Sequence, residues 1–259
     1  MVVLHEHPLS PYAQKVKIAL GEKGVAFESR VPDLLGGNLG EFGALNPRLE
    51  VPARGDGDGG VFDSTIILEY LEDRWPTPPL LPAGAAERAR VRMLEELCDT
   101  YYEAINWAIF EIRIFQRASG ELAERLEARA ADQRAGCNAY LDRALGNRPY
   151  FTGDAFGWGD LCVVPFVNAA AMTGSPPAPG SNLAAWLDRA VNRPSVAATF
   201  AAAMQSMAGF EMLPQLVTSG RFRREYRDHR LEWMVRSGGV DVVLDGIRKG
   251  NIRFSHELE

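Results

Sequence analysis

The chain has 259 residues, of which 46% are hydrophobic and 24% are charged, and its formal net charge is −6 at pH 7. This length accommodates one large hydrophobic core or two smaller ones. The negative balance excludes nucleic acid as the main partner, because phosphate binding requires clustered positive charge.

Cysteine usage and the N-terminal sequence predict a cytoplasmic protein. Cys98, Cys137 and Cys162 are odd in number and widely spaced, which is typical of reduced thiols. The N-terminus enters a predicted strand directly and lacks the basic and apolar regions of a signal peptide. No run of about 18 apolar residues is present, so we expect no membrane span. The cysteines and histidines show no metal-ligand spacing, and no metal site is predicted.

Residues 1–75 alternate between strand and helix. Period-two apolar patterns predict strands, and three- and four-residue apolar spacing predicts helices. The predicted strands are 2–5, 25–31, 51–54 and 60–62, the predicted helices are 11–22 and 65–74, and 34–45 reads as irregular or as a short helix. The order βαβ followed by ββα predicts a small α/β sandwich.

Residues 76–86 form a predicted linker, because the prolines at 76, 78, 79 and 82 forbid a continuing helix. Residues 87–215 are predicted to be all-helical. Their longest apolar face runs from Leu94 to Phe115, and a very apolar helix at 160–171 is expected at the centre of the helical domain. Residues 216–259 form a C-terminal extension. Within it, 221–236 has a helical pattern, and 240–244 fits a strand or a helix.

Ser10 and Pro11 mark the start of the first helix. Serine is a favoured N-cap and proline is favoured at the first helical position. The junction places a hydroxyl at the positive end of a helix, where an anion such as a thiolate is stabilised. Capping alone explains Ser10 equally simply. A nucleophilic role lacks support, since no Ser-His-Asp arrangement and no Gly-x-Ser-x-Gly motif surrounds it.

Two further positions are candidates for the same pocket. Val51-Pro52 enters a predicted edge strand, where the backbone of Val51 can pair with an extended peptide. Asp63-Ser64 stands at the start of the next helix. Its simple interpretation is capping, and its functional interpretation is that Ser64 binds a carboxylate while Asp63 binds an ammonium group.

In order and spacing, four motifs resemble those of the glutathione transferase superfamily over about residues 1–215. The first is Ser10-Pro11-Tyr12 followed by KVKIAL, and the second is Asn46-Pro47 followed by Val51-Pro52. The third is FDSTIILEYLE at 62–72, and the fourth is FTGDAFGWGD at 151–160. In the family, the fourth motif caps a helix and is important for folding; its final aspartate matches Asp160.

The resemblance implies a thioredoxin-like N-terminal domain, an all-α C-terminal domain, a homodimer and glutathione as co-substrate. Ser10 matches the residue that hydrogen-bonds the glutathione sulfur in serine-type members, so it would stabilise the thiolate without attacking the substrate. Val51 and Pro52 would hold the cysteinyl backbone. Asp63 and Ser64 would hold the γ-glutamyl end.

The chain departs from the family pattern at two places. Family members often have Gly-Lys before Val-Pro, with the lysine near the glycyl carboxylate, whereas this chain has Leu49 and Glu50. Glu50 repels a carboxylate, so glutathione binding calls for another cation. Gly157 replaces the usual Ser or Thr cap, at an expected cost of about a few tenths of a kcal/mol.

The acceptor site is expected between the domains. Tyr102, Asn106 and Phe110 share a helix face at i, i+4 and i+8 and are candidates to line it. The same stripe also fits a dimer interface or core. Tyr12 is interpreted as a packed aromatic at the pocket wall. The tail helix at 221–236 either covers the pocket or has a solvated basic face.

Three function classes follow from these residues. The leading hypothesis is a transferase in which the glutathione thiolate attacks an apolar electrophilic small molecule. A lyase, dehalogenase or isomerase would use the same thiolate, although the zeta-type isomerases have Ser-Cys where this chain has Pro11-Tyr12. A thiol-disulfide oxidoreductase requires a cysteine in place of Ser10. A non-catalytic binding or accessory protein is the third class, and Glu50 is its main support.

Overall fold

The computed structural model describes residues 1–33, 40–56, 59–208 and 210–254. Its N-terminal part is built on a four-stranded sheet of order β2-β1-β3-β4. The strands are β1 (Val2–His5), β2 (Phe27–Arg30), β3 (Ala53–Asp56) and β4 (Gly59–Phe62). β1 is parallel to β2 and antiparallel to β3, and β3 is antiparallel to β4. The sheet confirms the predicted βαβ-ββα order.

Three helices accompany this sheet: α1 (Pro11–Glu22), α2 (Gly40–Leu45) and α3 (Ser64–Arg74). α1 begins where Ser10 caps it with Pro11 at its first position, and its residues from Ala13 to Leu20 are buried. The strand predicted at 51–54 begins instead at Ala53, because Pro52 has no N–H to donate to the ladder. The first part of the predicted irregular segment 34–45, residues 34–39, lies outside the described residues.

The rest of the chain is mainly helical. Its helices are α4 (Ala85–Glu96), a π-helical turn (Leu97–Tyr102), α5 (Glu103–Arg113), α6 (Gly120–Leu145), α7 (Trp158–Met172), α8 (Asn182–Val191), α9 (Pro194–Ser206), a 3₁₀ turn (Phe210–Met212) and α10 (Leu213–Thr218). α4 begins at Ala85, one residue before the end of the predicted linker, and the predicted boundary at 215 falls inside α10. The single apolar face expected from Leu94 to Phe115 is divided by the π-helical turn.

α7 forms the centre of the helical part, as its composition predicted, and all its residues from Trp158 to Val167 are buried. Gly157 precedes it. A Cβ at this position would lie 2.5 Å from the Leu80 carbonyl oxygen, so the close approach of the backbone requires glycine. The missing cap hydroxyl is supplied by Thr152, whose Oγ1 accepts a hydrogen bond from Gly159 N at 3.0 Å.

The C-terminal extension folds back onto α5. It consists of β5 (Arg224–Glu225), α11 (Asp228–Arg236), α12 (Val240–Lys249) and β6 (Ile252–Arg253), and β5 pairs with β6 in parallel. The helix predicted at 221–236 is therefore wrong before residue 228, where the chain pairs as a strand. Among the described residues, no helix combines the length and the apolar composition that a membrane crossing requires.

Candidate functional site

Sheet pairing brings the three sequence-predicted positions to one edge. Ala53 pairs with His5 at the end of β1 and with Phe62 at the end of β4. The loop that leads to Ser10 follows β1, Val51-Pro52 directly precedes β3, and Asp63-Ser64 directly follows β4. All three therefore leave the sheet on the same side.

Ser10 is held rigidly at the start of α1. Its backbone N–H donates to the His7 carbonyl at 2.8 Å, and Gln14 Nε2 donates to the Pro8 carbonyl at 2.8 Å. Ser10 Oγ accepts from Ala13 N at 3.3 Å. Because this cap uses the oxygen only as an acceptor, the hydroxyl proton remains available to an anion at the helix N-terminus.

Val51 lies just outside the strand ladder, and the Val51–Pro52 peptide bond is cis. The preceding residue is fixed by Asn46, whose Nδ2 donates to the Glu50 carbonyl at 2.6 Å. The Glu50 carboxylate forms an ion pair with Arg48 at 3.1 Å, and only 16% of the Glu50 side chain is exposed. Glu50 is thus held beside Val51, and its charge is paired with that of Arg48.

Asp63 caps α3 through Oδ1, which accepts from Thr65 N at 3.0 Å and from Ile66 N at 3.4 Å. Its backbone has a φ of 71°, a conformation that non-glycine residues seldom adopt. Ser64, the first residue of α3, is buried with 5% of its surface exposed. Asp63 therefore caps α3, as the simple interpretation predicted. The cap uses Oδ1, which leaves Oδ2 available to another partner.

Tyr12 is half-buried and joins α1 to the helical part of the chain. Its hydroxyl donates to the Asp99 carbonyl at 2.7 Å, and its ring packs edge-on against Phe166. Burial, aided by Glu103, raises the pKa of Tyr12 well above its usual value. The phenol therefore stays protonated and engaged with a carbonyl, which fits the packed aromatic predicted for this position.

The three residues predicted to line the acceptor site differ in burial. Tyr102 is fully buried and donates to Asn138 Oδ1 at 2.7 Å. Asn106 is buried as well, where it donates to the Phe166 carbonyl at 3.0 Å and accepts from Arg134 Nε at 2.9 Å. Both contact the helical core, the alternative that the spacing left open, and Phe110 is half-buried on the same helix.

A buried charged cluster, which the sequence analysis missed, adjoins Tyr12. Glu103 Oε1 accepts from Arg230 Nη2 at 2.6 Å, and Glu103 Oε2 lies 2.9 Å from His229 Nε2. His229 Nε2 is also 3.4 Å from the Tyr12 hydroxyl. Although burial opposes ionisation, Arg230 and His229 lower the pKa of Glu103 to about 2. The extension is thus fastened by charge next to the N-terminus of α1.

Two sequence features point to this cluster. Glu103 and Glu111 lie within the apolar stripe of α5, where an acidic residue requires a basic partner. The tail between Arg221 and Arg236 is rich in arginine. In the structure, Arg230 pairs with Glu103, and Arg224 Nε donates to Glu111 Oε1 at 2.5 Å.

A second buried cluster, centred on Lys15, joins the two parts of the chain. Lys15 Nζ donates to Glu95 Oε1 at 2.6 Å and to Asp99 Oδ2. Glu95 also accepts from Thr65 Oγ1 at 2.8 Å and from Trp158 Nε1 at 2.6 Å. Asp99 lies in the π-helical turn, a distortion often found at functional sites, and its Oδ1 is buried without a hydrogen bond to a described residue.

We expect Asp99 to make the stability of the protein pH-dependent. Burial raises its pKa to about 6, with Lys15 opposing and Glu95 assisting. The folded state therefore binds a proton more tightly than the unfolded chain does. The stabilisation that comes from protonated Asp99 is fully present below about pH 4 and is lost as the pH rises through about 6. The expected change in the free energy of unfolding is about 3 kcal/mol.

We expect Asp99→Asn to remove this decline, because the amide does not titrate. Urea unfolding at about pH 4 and about pH 7 measures the difference, with Asp132→Asn, an exposed position on α6, as the control. If Asp99→Asn keeps the pH dependence of the parent chain, another group is responsible.

The architecture defines a class of protein. A thioredoxin-like sheet with α1 and α3 is followed by an all-helical part, and a capping serine stands at the sheet edge where the two meet. This is the glutathione transferase fold. Within the described ranges, no three His, Cys, Asp or Glu side chains are grouped so as to hold a metal ion.

The chain belongs to the glutathione S-transferase superfamily. Residues 4–79 match the family model described as "Glutathione S-transferase, N-terminal domain", and residues 115–189 match "Glutathione S-transferase, C-terminal domain". Glutathione S-transferase U28 of Arabidopsis thaliana is 30% identical over 206 residues, which cover 76% of this chain and 88% of that protein.

Two further relatives widen the comparison. The stringent starvation protein A homolog of Haemophilus influenzae is 32% identical over 164 residues, which cover 60% of this chain and 68% of that protein. The crystal structure of a glutathione S-transferase from Methylobacterium radiotolerans in complex with glutathione sulfonate is 30% identical, with a TM-score of 0.62. It covers 76% of this chain and 93% of that chain.

Proposed function

We propose that the protein is a glutathione-dependent transferase that activates the glutathione thiolate for attack on an apolar electrophilic small molecule. The observation that supports this most directly is the hydroxyl of Ser10. It stands at the N-terminus of α1, fixed by its loop and with its proton available. A hydroxyl donor and the helix N-terminus both favour thiolate over thiol. Ser10 then acts as a hydrogen-bond donor and forms no covalent intermediate.

The remaining glutathione contacts follow from the same sheet edge. Val51 and Pro52 would hold the cysteinyl backbone. β3 pairs with β1 and β4 only from Ala53 onward, so Val51 lies just outside the ladder. Ser64 and the N-terminus of α3 would bind the γ-glutamyl carboxylate. Asp63 Oδ2, which the cap leaves over, would accept the γ-glutamyl ammonium.

The acceptor would bind between Ser10 and the helical part of the chain. Tyr12 forms the wall nearest Ser10, and Phe110 is retained as a lining residue. Tyr102 and Asn106 act from the core, where they support α5. No catalytic step requires a metal ion, because the thiolate supplies the nucleophile.

We also propose a cytoplasmic homodimer. The three cysteines are buried free thiols, which suits a reducing compartment. A surface groove of about 540 Å³ on α4, the π-helical turn and α6 is lined by Met93, Tyr101 and Tyr140, which are 65%, 44% and 43% exposed. Exposed apolar grooves of this kind mark interfaces, and a second copy is the partner expected for a member of this family.

One alternative is a non-catalytic binding or accessory protein on the same fold. It is favoured by Glu50, whose charge opposes the glycyl carboxylate of glutathione, and by the name of the stringent starvation protein A relative, which is not that of a transferase. A lyase, isomerase or dehalogenase that uses the same thiolate is another alternative.

Calorimetric titration with glutathione, combined with ultraviolet difference absorbance of the thiolate, tests the proposal. We expect binding at millimolar glutathione or below and an ionised thiol in the complex at neutral pH. Absence of binding at millimolar glutathione would reject the transferase and favour the accessory protein. Light scattering on the same sample gives the molar mass and tests the homodimer.

A further inference from the structure

The first part of the C-terminal extension lies over Tyr12, two residues from Ser10. Arg230 is fixed by Glu103, and Arg224 is fixed by Glu111, so both ends of this segment are fastened to α5. Between them, the guanidinium carbon of Arg227 lies 5.6 Å from the centre of the Tyr12 ring. The segment therefore places an arginine beside Tyr12.

The acidic residues near Arg227 form ion pairs with other arginines. Glu103 pairs with Arg230 at 2.6 Å, and Glu225 pairs with Arg253 at 2.6 Å. Glu50 pairs with Arg48 at 3.1 Å. Arg227 is half-buried, and no ion pair or hydrogen bond joins its guanidinium to a residue in the described ranges; its backbone carbonyl accepts from Leu231 N at 2.8 Å.

Arg227 lies over the Tyr12 ring, and the negative charge of Glu50 also acts on it. Although burial opposes its charge, Tyr12 and Glu50 raise the pKa of Arg227. Tyr12 marks the sulfur end of the proposed glutathione site, and Glu50 directly precedes Val51, the residue proposed to hold the cysteinyl backbone. A half-buried guanidinium in this place is a ready partner for a planar anion, because its parallel N–H groups match the two oxygens of a carboxylate.

We propose that Arg227 binds a carboxylate beside Tyr12; this inference rests on the proposed glutathione-dependent function. The carboxylate has two sources with the same chemistry. One is the glycyl end of glutathione, for which Arg227 would be the cation that Glu50 fails to supply. The other is an acidic group on the acceptor molecule, which would make the preferred acceptor anionic as well as apolar.

Calorimetry with two pairs of ligands tests the proposal and separates the sources. Glutathione and its glycyl monoethyl ester differ in the glycyl carboxylate. S-carboxymethylglutathione and S-methylglutathione differ in a carboxylate on the acceptor side. Each ligand is titrated into the full-length chain, into Arg227→Gln and into Arg223→Gln. Arg223 is exposed four residues earlier, so its variant carries the same change of charge.

We expect Arg227→Gln to weaken the carboxylate-bearing member of one pair by about 10- to 100-fold and to leave the other member of that pair within about twofold. Weaker binding of every ligand except the ester identifies the glycyl carboxylate, because both S-substituted glutathiones also carry that group. Weaker binding of S-carboxymethylglutathione alone identifies the acceptor. Arg223→Gln should bind every ligand as the parent chain does. Arg227→Lys, which keeps the charge but not the paired N–H groups, should fall between the parent and the glutamine variant.

The proposal is overturned if folded Arg227→Gln binds all four ligands within about twofold of the parent chain while the parent binds glutathione. In that case the transferase proposal stands and Arg227 has only a packing role. If the parent chain binds none of the four ligands, both proposals fail together. Thermal unfolding of each variant shows whether a loss of binding reflects a loss of folded protein.

Discussion

Ser10→Ala is expected to leave glutathione affinity almost unchanged and to remove thiolate formation in the complex. A hydrogen bond to a charged acceptor contributes about 1.5–3 kcal/mol, so its loss should raise the pKa of the bound thiol by about one to two units. At neutral pH, kcat/KM should fall by about 10- to 100-fold. Difference absorbance as a function of pH measures the thiol pKa, and steady-state kinetics measures the rate.

Two variants separate this role from helix capping. Ser10→Thr retains the hydroxyl and should retain an ionised thiol. Ser181 caps α8 in the same way, accepting from Ala184 N at 3.1 Å, but lies in the helical part of the chain. Ser181→Ala should therefore lose about 1 kcal/mol of stability without a change in thiol pKa. If thiolate formation is unchanged in Ser10→Ala, the sulfur has a different hydrogen-bond donor.

Asp160→Ala is expected to be the most destabilising single change at the capping motif of α7. Asp160 Oδ1 accepts from Phe151 N at 2.8 Å and from Trp186 Nε1 at 2.7 Å. Its Oδ2 accepts from Gly157 N at 3.1 Å and from Thr152 N at 3.2 Å. Alanine leaves these donors buried without an acceptor, and we expect a loss of at least about 3 kcal/mol in the free energy of unfolding.

Urea unfolding measures this loss, and Asp142→Ala provides a matched control. The Asp142 carboxylate accepts one backbone hydrogen bond, from Leu183 N at 2.8 Å, so its removal should cost about 1 kcal/mol. A loss in Asp160→Ala no larger than that of Asp142→Ala would show that the donors find other partners. This outcome would contradict a folding role for the motif.

Local patterns predicted most of the fold. The strand and helix order of the N-terminal part, the buried helix α7 and the caps at Ser10 and Asp63 depend on residues close together in sequence. The start of β3, the π-helical turn and β5 were missed, because strand pairing and helix distortion depend on contacts with distant parts of the chain. β5 exists only because residues 252–253 return beside it.

The candidate site shows the same division. Ser10, Val51 and Asp63 were predicted from caps and spacing, and sheet pairing brings them to one edge. The Glu103–Arg230 pair was missed because 127 residues separate its members. Helix spacing placed Tyr102 and Asn106 on one helix face. It did not show that this face meets α6 and α7 instead of a cleft.

The ion pairs between α5 and the extension constrain how this sequence can vary. Glu103 and Glu111 are buried on α5, and their partners Arg230 and Arg224 belong to a segment that lies beyond the matched family domains. Loss of the segment alone would leave these two carboxylates without their basic partners. The extension therefore depends on two positions more than a hundred residues upstream in the sequence. We expect a transfer of this tail onto a relative to succeed only when both acidic residues are transferred with it.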